Sequence, residues 1–172
     1  MRLRDLQPAE YDPYYHRYLA KLPGETALRE GYRDGQLAVC RFFRALPPDV
    51  LDRRYEPTAW SVREVLQHLI DTERIFAYRT FRIARRDQTP LADFDQAGYM
   101  APSGATGKSR TALLREFEAV RTQTIVLLDS LSDDDLRTVG TSSGQPMSAR
   151  AAAFVVIGHD RWHLDLINER YL

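Results

Sequence analysis

Four segments of about 20 residues each repeat apolar residues at intervals of three, four or seven positions. This spacing places the apolar side chains on one face of an α-helix, so it predicts four amphipathic helices. Proline and glycine separate the segments, which lie at about residues 25–46, 61–86, 109–131 and 148–171. No segment alternates apolar and polar residues for long enough to predict a strand. The expected fold class is therefore all-α, a four-helix bundle.

The segments between the helices carry turn signals of different kinds. Asp12-Pro13 resembles an N-cap followed by a first-turn proline, and predicts a short helix to about Lys21 as an appendage to the bundle. Residues 87–108 contain several glycines and prolines and show no period, and a connection that long is usually functional or mobile. Residues 138–146 indicate an extended turn. Long connections also allow a helix order that does not follow the sequence.

The third predicted helix has the clearest start. Ser61 and Glu64 form a capping box, in which each side chain accepts a hydrogen bond from a free backbone N–H. The inward stripe of this helix reads Val65, His68, Thr72, Ile75 and Arg79. A histidine and an arginine are therefore expected to face the core of the bundle.

Composition limits the classes of protein to which the chain can belong. The 172 residues include 24 Lys+Arg and 24 Asp+Glu, and this balance argues against a sequence-independent nucleic-acid binder. Cys40 is the one cysteine, which excludes an intrachain disulfide and makes a core thiol the simplest reading. No apolar run approaches a membrane span, and the charged N-terminus is unlike a secretory signal. We expect a single domain over residues 1–172 in the cytoplasm.

The four histidines carry the strongest chemical signal. His159 and His163 are four residues apart, a spacing that stacks both imidazoles on one helix face, where they can share one metal ion. His68 lies on the inward stripe of another helix. The alternative is three hydrogen-bonded core histidines, but buried polar groups need partners and a metal would supply them. His16 is expected at the surface, or as a fourth ligand if the first helix folds over the site.

Other chemical patterns are weaker. The segment from His159 to His163 lacks the glutamate that a zinc protease helix carries as general base, and no glycine loop has the spacing of a phosphate-binding loop. Three carboxylates near the histidines are either partners of the ligands or solvated charges: Asp71, Glu73 and Asp160. The basic end of the third helix, at Arg79, Arg82, Arg85 and Arg86, either binds an anionic group or interacts with the helix C-terminus.

Two segments of the chain resemble the DinB superfamily, which includes the YfiT-like proteins. Trp60-Ser-Val-Arg-Glu-Val-Leu-Gln-His68-Leu-Ile-Asp-Thr-Glu73 is similar to the family pattern W-S-x-x-E-x-x-x-H-L-x-D-x-E. Gly158-His159-Asp-Arg-Trp-His163-Leu-Asp-Leu-Ile-Asn-Glu-Arg-Tyr171 is similar to the C-terminal helix of the family, with its paired histidines. The resemblance covers about residues 25–171. It implies a four-helix bundle with a divalent metal ion on His68, His159 and His163.

The resemblance also implies several functions. Members of the superfamily include transferases that use a low-molecular-weight thiol, so we expect a metal-dependent thiol S-transferase with a small-molecule substrate. A metal-dependent hydrolase needs the same ligands, and a non-catalytic metal-binding stress protein or a partner-binding bundle without metal remain alternatives. Imidazole ligands without a thiolate favour zinc or nickel. A symmetric homodimer is allowed, although no residue establishes it.

Overall fold

The computed structural model describes residues 1–172 and contains seven helices and two strands. In chain order these are α1 (His16–Leu19), α2 (Leu28–Ala45), α3 (Val62–Ala84), α4 (Gln96–Met100), α5 (Arg110–Ser130), α6 (Asp133–Arg137), β1 (Val139–Ser142), β2 (Gln145–Ser148) and α7 (Ala149–Arg170). The four long helices are those that the periodicity predicts, each within a few residues of its predicted bounds. None of the helices combines the length and apolar character needed to cross a bilayer.

The long helices form a four-helix bundle in which neighbours in space are not always neighbours in sequence. Helix α3 packs against α5 and α7, and α2 also packs against α5 and α7. Successive helices α2 and α3 therefore lie diagonally across the bundle, as do α5 and α7. This arrangement confirms the predicted bundle. The connections from α2 to α3 and from α5 to α7 cross from one corner of the bundle to the opposite corner.

Serine caps fix where three of the long helices begin. Ser61 accepts a hydrogen bond from the backbone N–H of Glu64, and the Glu64 side chain accepts one from Ser61, as the capping box predicts. The Ser109 and Ser148 side chains cap α5 and α7 by accepting hydrogen bonds from the backbone N–H groups of Ala112 and Ala151. Helix α3 ends at Ala84 because Arg86 adopts a left-handed conformation, with φ of 62°.

A buried charge cluster occupies the middle of the bundle. The Arg121 guanidinium on α5 donates to both carboxylate oxygens of Glu73 on α3, and to Asp160 Oδ2 on α7 at 2.6 Å. It also lies over the Tyr32 ring of α2, 4.9 Å from the ring centroid. Arg121 and Glu73 are fully buried. One side chain of α5 thus contacts the other three long helices.

The segment at residues 138–146 is a β-hairpin rather than the predicted extended turn. Strands β1 and β2 pair antiparallel, with Val139 opposite Ser148. Ser143 and Gly144 form the turn, both with positive φ, as a type I′ hairpin turn requires. Four-residue strands are too short for an alternating pattern to emerge from the sequence. Leu91 pairs with Ser142, so the long connection before α5 is attached to the hairpin and is not free.

The N-terminal segment is part of the packed structure, which corrects its prediction as an appendage. Helix α1 lies against α7 at Gly158, where an added Cβ would come within 2.5 Å of the Tyr18 carbonyl oxygen. Glu10 and Arg150 form a buried ion pair that also attaches the segment to the N-terminal end of α7. Burial raises the pKa of Glu10, but hydrogen bonds from Arg150 and Ser148 outweigh it and the net pKa is lowered. The segment is therefore held over one face of the bundle.

Candidate metal centre

Three histidines meet where α3 packs against α7. His159 and His163 are one turn apart on α7, as their spacing predicts, and His68 reaches them from α3. The His159 Nε2 atom lies 3.0 Å from Nε2 of His68 and 3.1 Å from Nε2 of His163. All three side chains are buried. The structure thus brings together the three residues that the sequence singled out.

The histidines are uncharged in their buried setting. Burial lowers the pKa of His68 to about 4. Burial, aided by the charges of His163 and His68, holds the pKa of His159 well below its ordinary value, and burial does the same to the pKa of His163. Three neutral imidazoles at neutral pH are the form in which histidine binds a metal ion.

The ring nitrogens fit a shared metal ion better than they fit one another. Each Nε2 carries either one hydrogen or one lone pair, so His159 Nε2 cannot form good hydrogen bonds to both neighbours at once. An ion at about 2.0–2.1 Å from each nitrogen would accept all the lone pairs. Two such nitrogens are about 2.9 Å apart at a right angle and about 3.3 Å apart at a tetrahedral angle. The two separations from His159 lie between these values, and the ligand atoms of all three histidines lie within 4.8 Å of one another.

An aromatic ring lies against each histidine. Trp60 packs on His68 with ring centroids 4.7 Å apart, and Trp162 packs on His163 at 4.8 Å. Tyr18, from the N-terminal segment, packs edge-on against His159 at 5.0 Å. These rings restrict the imidazoles to the observed orientations and exclude water from their flanks.

None of the three carboxylates near the histidines is a hydrogen-bond partner of a histidine. Glu73 and Asp160 both pair with Arg121 in the middle of the bundle, and Asp71 accepts hydrogen bonds from Gln67 and Arg74. Asp160 follows His159 directly, and successive helix residues point about 100° apart, so it faces away from the cluster. A hydroxyl group does contact the cluster, because Thr72 Oγ1 lies 3.4 Å from His68 Nδ1.

Two cavities flank the cluster. One of about 530 Å³, here named the His159 cavity, is lined by His159, Thr72, Phe76, Phe94 and other residues. The other, of about 350 Å³ and named the His68 cavity, is lined by His68, His163, Trp60 and other residues. Tyr14, Tyr18 and Gln96 line both cavities and form the wall between them. The cluster is therefore accessible from two sides.

The remaining predicted residues lie elsewhere. His16 is exposed on α1 and does not join the cluster. Cys40 is buried as expected, and burial together with Glu118 raises the pKa of its thiol to about 11. A cavity of about 680 Å³ beside Cys40 is lined by no histidine. It lies on the outer face of α2 and α5, away from the candidate centre.

Arg79 is buried, as its place on the inward stripe predicts. Its Nη2 donates to the Ala92 carbonyl oxygen and to Ser143 Oγ, each at 3.1 Å, and Nη1 donates to Tyr15 Oη at 3.5 Å. Arg79 therefore ties the long connection, the hairpin turn and the N-terminal segment together behind the His159 cavity. The Arg79 side chain is 1% exposed, so it lies behind the residues that line the His159 cavity and does not line the cavity itself.

Tyr14 and Tyr18 are site residues that no sequence motif indicated. Both lie in the segment that was expected to be an appendage, and both line the two cavities. One signal pointed to them: Gly158 directly precedes His159 inside a predicted helix, where glycine is unfavourable unless another backbone approaches closely.

Comparison with known proteins agrees with the fold. The structure is similar to that of YfiT from Bacillus subtilis, a protein described as a probable metal-dependent hydrolase with an unusual four-helix bundle topology. The TM-score is 0.74 at 16% sequence identity, over 93% of this chain and 91% of YfiT. A comparison with curated proteins found no match.

A family model supplies the assignment. The model of the DinB superfamily matches residues 38–167, which include all three histidines of the cluster. The four-helix bundle and the position of the cluster agree with the resemblance of the two histidine-containing segments. The chain belongs to the DinB superfamily.

Proposed function

We propose that this protein is a divalent-metal-dependent enzyme that transfers a group between two small molecules, with the ion held by His68, His159 and His163. The observation that carries the proposal is the convergence of three buried Nε2 atoms, with separations of 3.0 and 3.1 Å, between two cavities. The description of YfiT as a probable metal-dependent hydrolase adds support for a metal. All-imidazole ligands favour zinc or nickel.

With three neutral imidazole ligands, the ion would supply the Lewis acidity, and the protein would position the ligands and the reactants. A divalent ion on three neutral imidazoles keeps its full charge and acts as a Lewis acid, which lowers the pKa of a bound thiol or water. The protein keeps His68, His159 and His163 neutral by burial and holds their rings with Trp60 and Trp162. Both reactants would reach the histidines from the cavities.

An open centre favours catalysis over a purely structural ion. No carboxylate, cysteine or fourth histidine joins the group of three. Structural zinc sites are usually closed by four protein ligands, whereas catalytic sites keep a position for substrate. A non-catalytic metal-binding protein is therefore the weaker proposal.

The pair of cavities favours group transfer over hydrolysis. A transferase must hold two organic reactants against one centre, and the His159 and His68 cavities offer separate room for each. The family resemblance makes a low-molecular-weight thiol the first candidate for one of them. A hydrolase needs only one such cavity, because its second reactant is water, and it is the second candidate.

Kinetics with two reactants test the proposal. The zinc- or nickel-loaded protein would be assayed with low-molecular-weight thiols and activated aryl or alkyl electrophiles, and separately with activated esters. The proposal predicts saturation in both thiol and electrophile, and loss of activity in His159→Gln. Turnover of an ester without thiol would favour the hydrolase. Metal binding with neither activity would contradict a catalytic role of these kinds.

A further inference from the structure

The His159 cavity has a distinctive lining of carboxylates and aromatic rings. Its three charged residues are all acidic and come from two separate parts of the chain: Asp12, Asp93 and Asp95. No lysine or arginine is among the residues that line it. A ligand in this cavity therefore meets negative charge at its rim and His159 at its inner side.

The three carboxylates are held in place by the backbone. Oδ1 of Asp12 accepts from the Tyr14 N–H at 2.8 Å, and Oδ1 of Asp95 accepts from the Gly98 N–H at 2.9 Å. Oδ1 of Asp93 accepts from the N–H of the next residue and from Ser143 Oγ, and it also lies 3.9 Å from Nη2 of the buried Arg79. In each case the protein donates no hydrogen bond to Oδ2. The charges are thus oriented in advance, and each keeps one oxygen for a ligand.

Five aromatic side chains line the same cavity: Tyr14, Tyr15, Tyr18, Phe76 and Phe94. The faces of aromatic rings attract cations, and cages of rings recognise substituted ammonium groups. Two of these rings already lie near a cation, because Arg79 Cζ is 4.9 Å from the Phe76 ring centroid and 5.5 Å from that of Phe94. Arg79 approaches them from behind the wall, with its guanidinium held by protein acceptors.

The His68 cavity differs in charge. Its lining contains one cationic residue, Arg17, and one anionic residue, Glu56. The Arg17 guanidinium lies 3.7 Å from the Tyr14 ring centroid, on the wall between the cavities. A positively charged reactant is therefore favoured on the His159 side and not on the His68 side.

We propose that the His159 cavity binds an organic cation, a molecule that carries a substituted ammonium group. Its positive charge lies between the ring faces and the free Oδ2 atoms of Asp12, Asp93 and Asp95, and its reactive end points toward His159. Identification of this cation as the substrate depends on the proposed function, whereas binding of the cation does not. The cavity volume of about 530 Å³ suits a small organic molecule.

Calorimetric titration with three probes of similar size tests the proposal. Benzyltrimethylammonium cannot coordinate a metal through its nitrogen, and it would be compared with neutral benzyl alcohol and anionic benzenesulfonate on the zinc-loaded full-length protein. We expect the cation to bind at least about tenfold more tightly than either other probe. Equal binding of benzenesulfonate would overturn the proposal.

Charge-neutral variants locate the site. Asp93→Asn/Asp95→Asn keeps the backbone caps, since asparagine caps as well as aspartate, and should weaken cation binding by about tenfold. Asp133→Asn/Asp134→Asn makes the same change in net charge at a half-buried and an exposed position on α6, neither of which lines the cavity, and should leave binding unchanged. If both double variants bind the cation as the wild type does, the proposal is wrong.

A third variant tests the role of the rings, and metal analysis keeps the two proposals separate. Phe94→Leu keeps an apolar side chain but removes a ring, and should weaken cation binding while benzyl alcohol binds as before. Zinc content would be measured on every sample. Cation binding without zinc uptake would contradict the metal-dependent function alone, and zinc uptake without preference for the cation would contradict this proposal alone.

Discussion

Nε2 of His68 lies 3.0 Å from Nε2 of His159, although the two residues are 91 positions apart in the sequence. The contact joins α3 to α7, and it places two neutral, buried imidazoles where only one of them can donate to the other. Two such rings and a third, His163, at a similar distance form a constellation that a divalent ion would stabilise.

The approach of Tyr18 to Gly158 leaves no room for a side chain. Gly158→Ala should destabilise the protein by about 1–3 kcal/mol, because the new Cβ would lie 2.5 Å from the Tyr18 carbonyl oxygen. The gain of about 1 kcal/mol from replacing a helical glycine is too small to compensate. Gly107→Ala, where nothing lies within 4 Å, is the control. Chemical denaturation measures both, and equal stability of the two variants would show that α1 does not pack there.

Arg121 neutralises two buried carboxylates. Arg121→Met should destabilise the protein by about 3–5 kcal/mol, because Glu73 and Asp160 would remain buried without their cation. Burial raises the pKa of Asp160 to about 6 even beside Arg121, so the Asp160 carboxyl group would take up a proton in the variant.

A triple variant separates this charge effect from a general loss of packing. Arg121→Met/Glu73→Leu/Asp160→Leu removes the whole buried charge cluster and should recover much of the lost stability. Denaturation of the single and triple variants in parallel checks the account. A triple variant that is less stable than Arg121→Met would contradict it.

The metal-free protein should lose stability in mild acid. The unfolded chain protonates histidine near pH 6.5, whereas the pKa of His68 is about 4 in the folded state. Between these values the unfolded state binds more protons, so the free energy of unfolding falls as pH falls from 6.5 toward 4. His68 alone accounts for roughly 3 kcal/mol of this loss, and His159 and His163 add to it.

Thermal unfolding at several pH values measures this loss. The variant His68→Gln/His159→Gln/His163→Gln is the matched control, because it keeps buried polar side chains but cannot titrate there. Its melting temperature should change less between pH 6.5 and 4 than that of the metal-free wild type. Parallel pH profiles would show that the histidines are protonated as easily in the folded protein as in the unfolded chain.

The parts of the structure that depend on local sequence were predictable. The periodic apolar positions gave the long helices, Ser61 and Glu64 gave the start of α3, and the four-residue spacing gave the pairing of His159 with His163. His68 was identified because it lies on the face of its predicted helix that is expected to point into the bundle. These features depend on interactions over one or two helical turns.

The parts that depend on long-range packing were not predictable. Tyr18 contacts His159 across 141 residues, and that contact requires the diagonal helix order and the position of α1 on Gly158. Glu73 and Asp160 resembled partners of the histidines, but Arg121 on α5 binds both from the opposite side. The hairpin at Ser143-Gly144 was missed because its strands have only four residues each.

The most direct test of the central claim is the metal content of the tag-free protein, measured by plasma mass spectrometry after metal removal and reloading with zinc or nickel. The account predicts one ion per chain in the wild type and in His16→Gln, whose histidine is exposed and outside the cluster. It predicts none in His68→Ala/His159→Ala/His163→Ala. Absence of bound metal in the wild type, together with no rise in melting temperature on adding zinc, nickel or manganese, would contradict it.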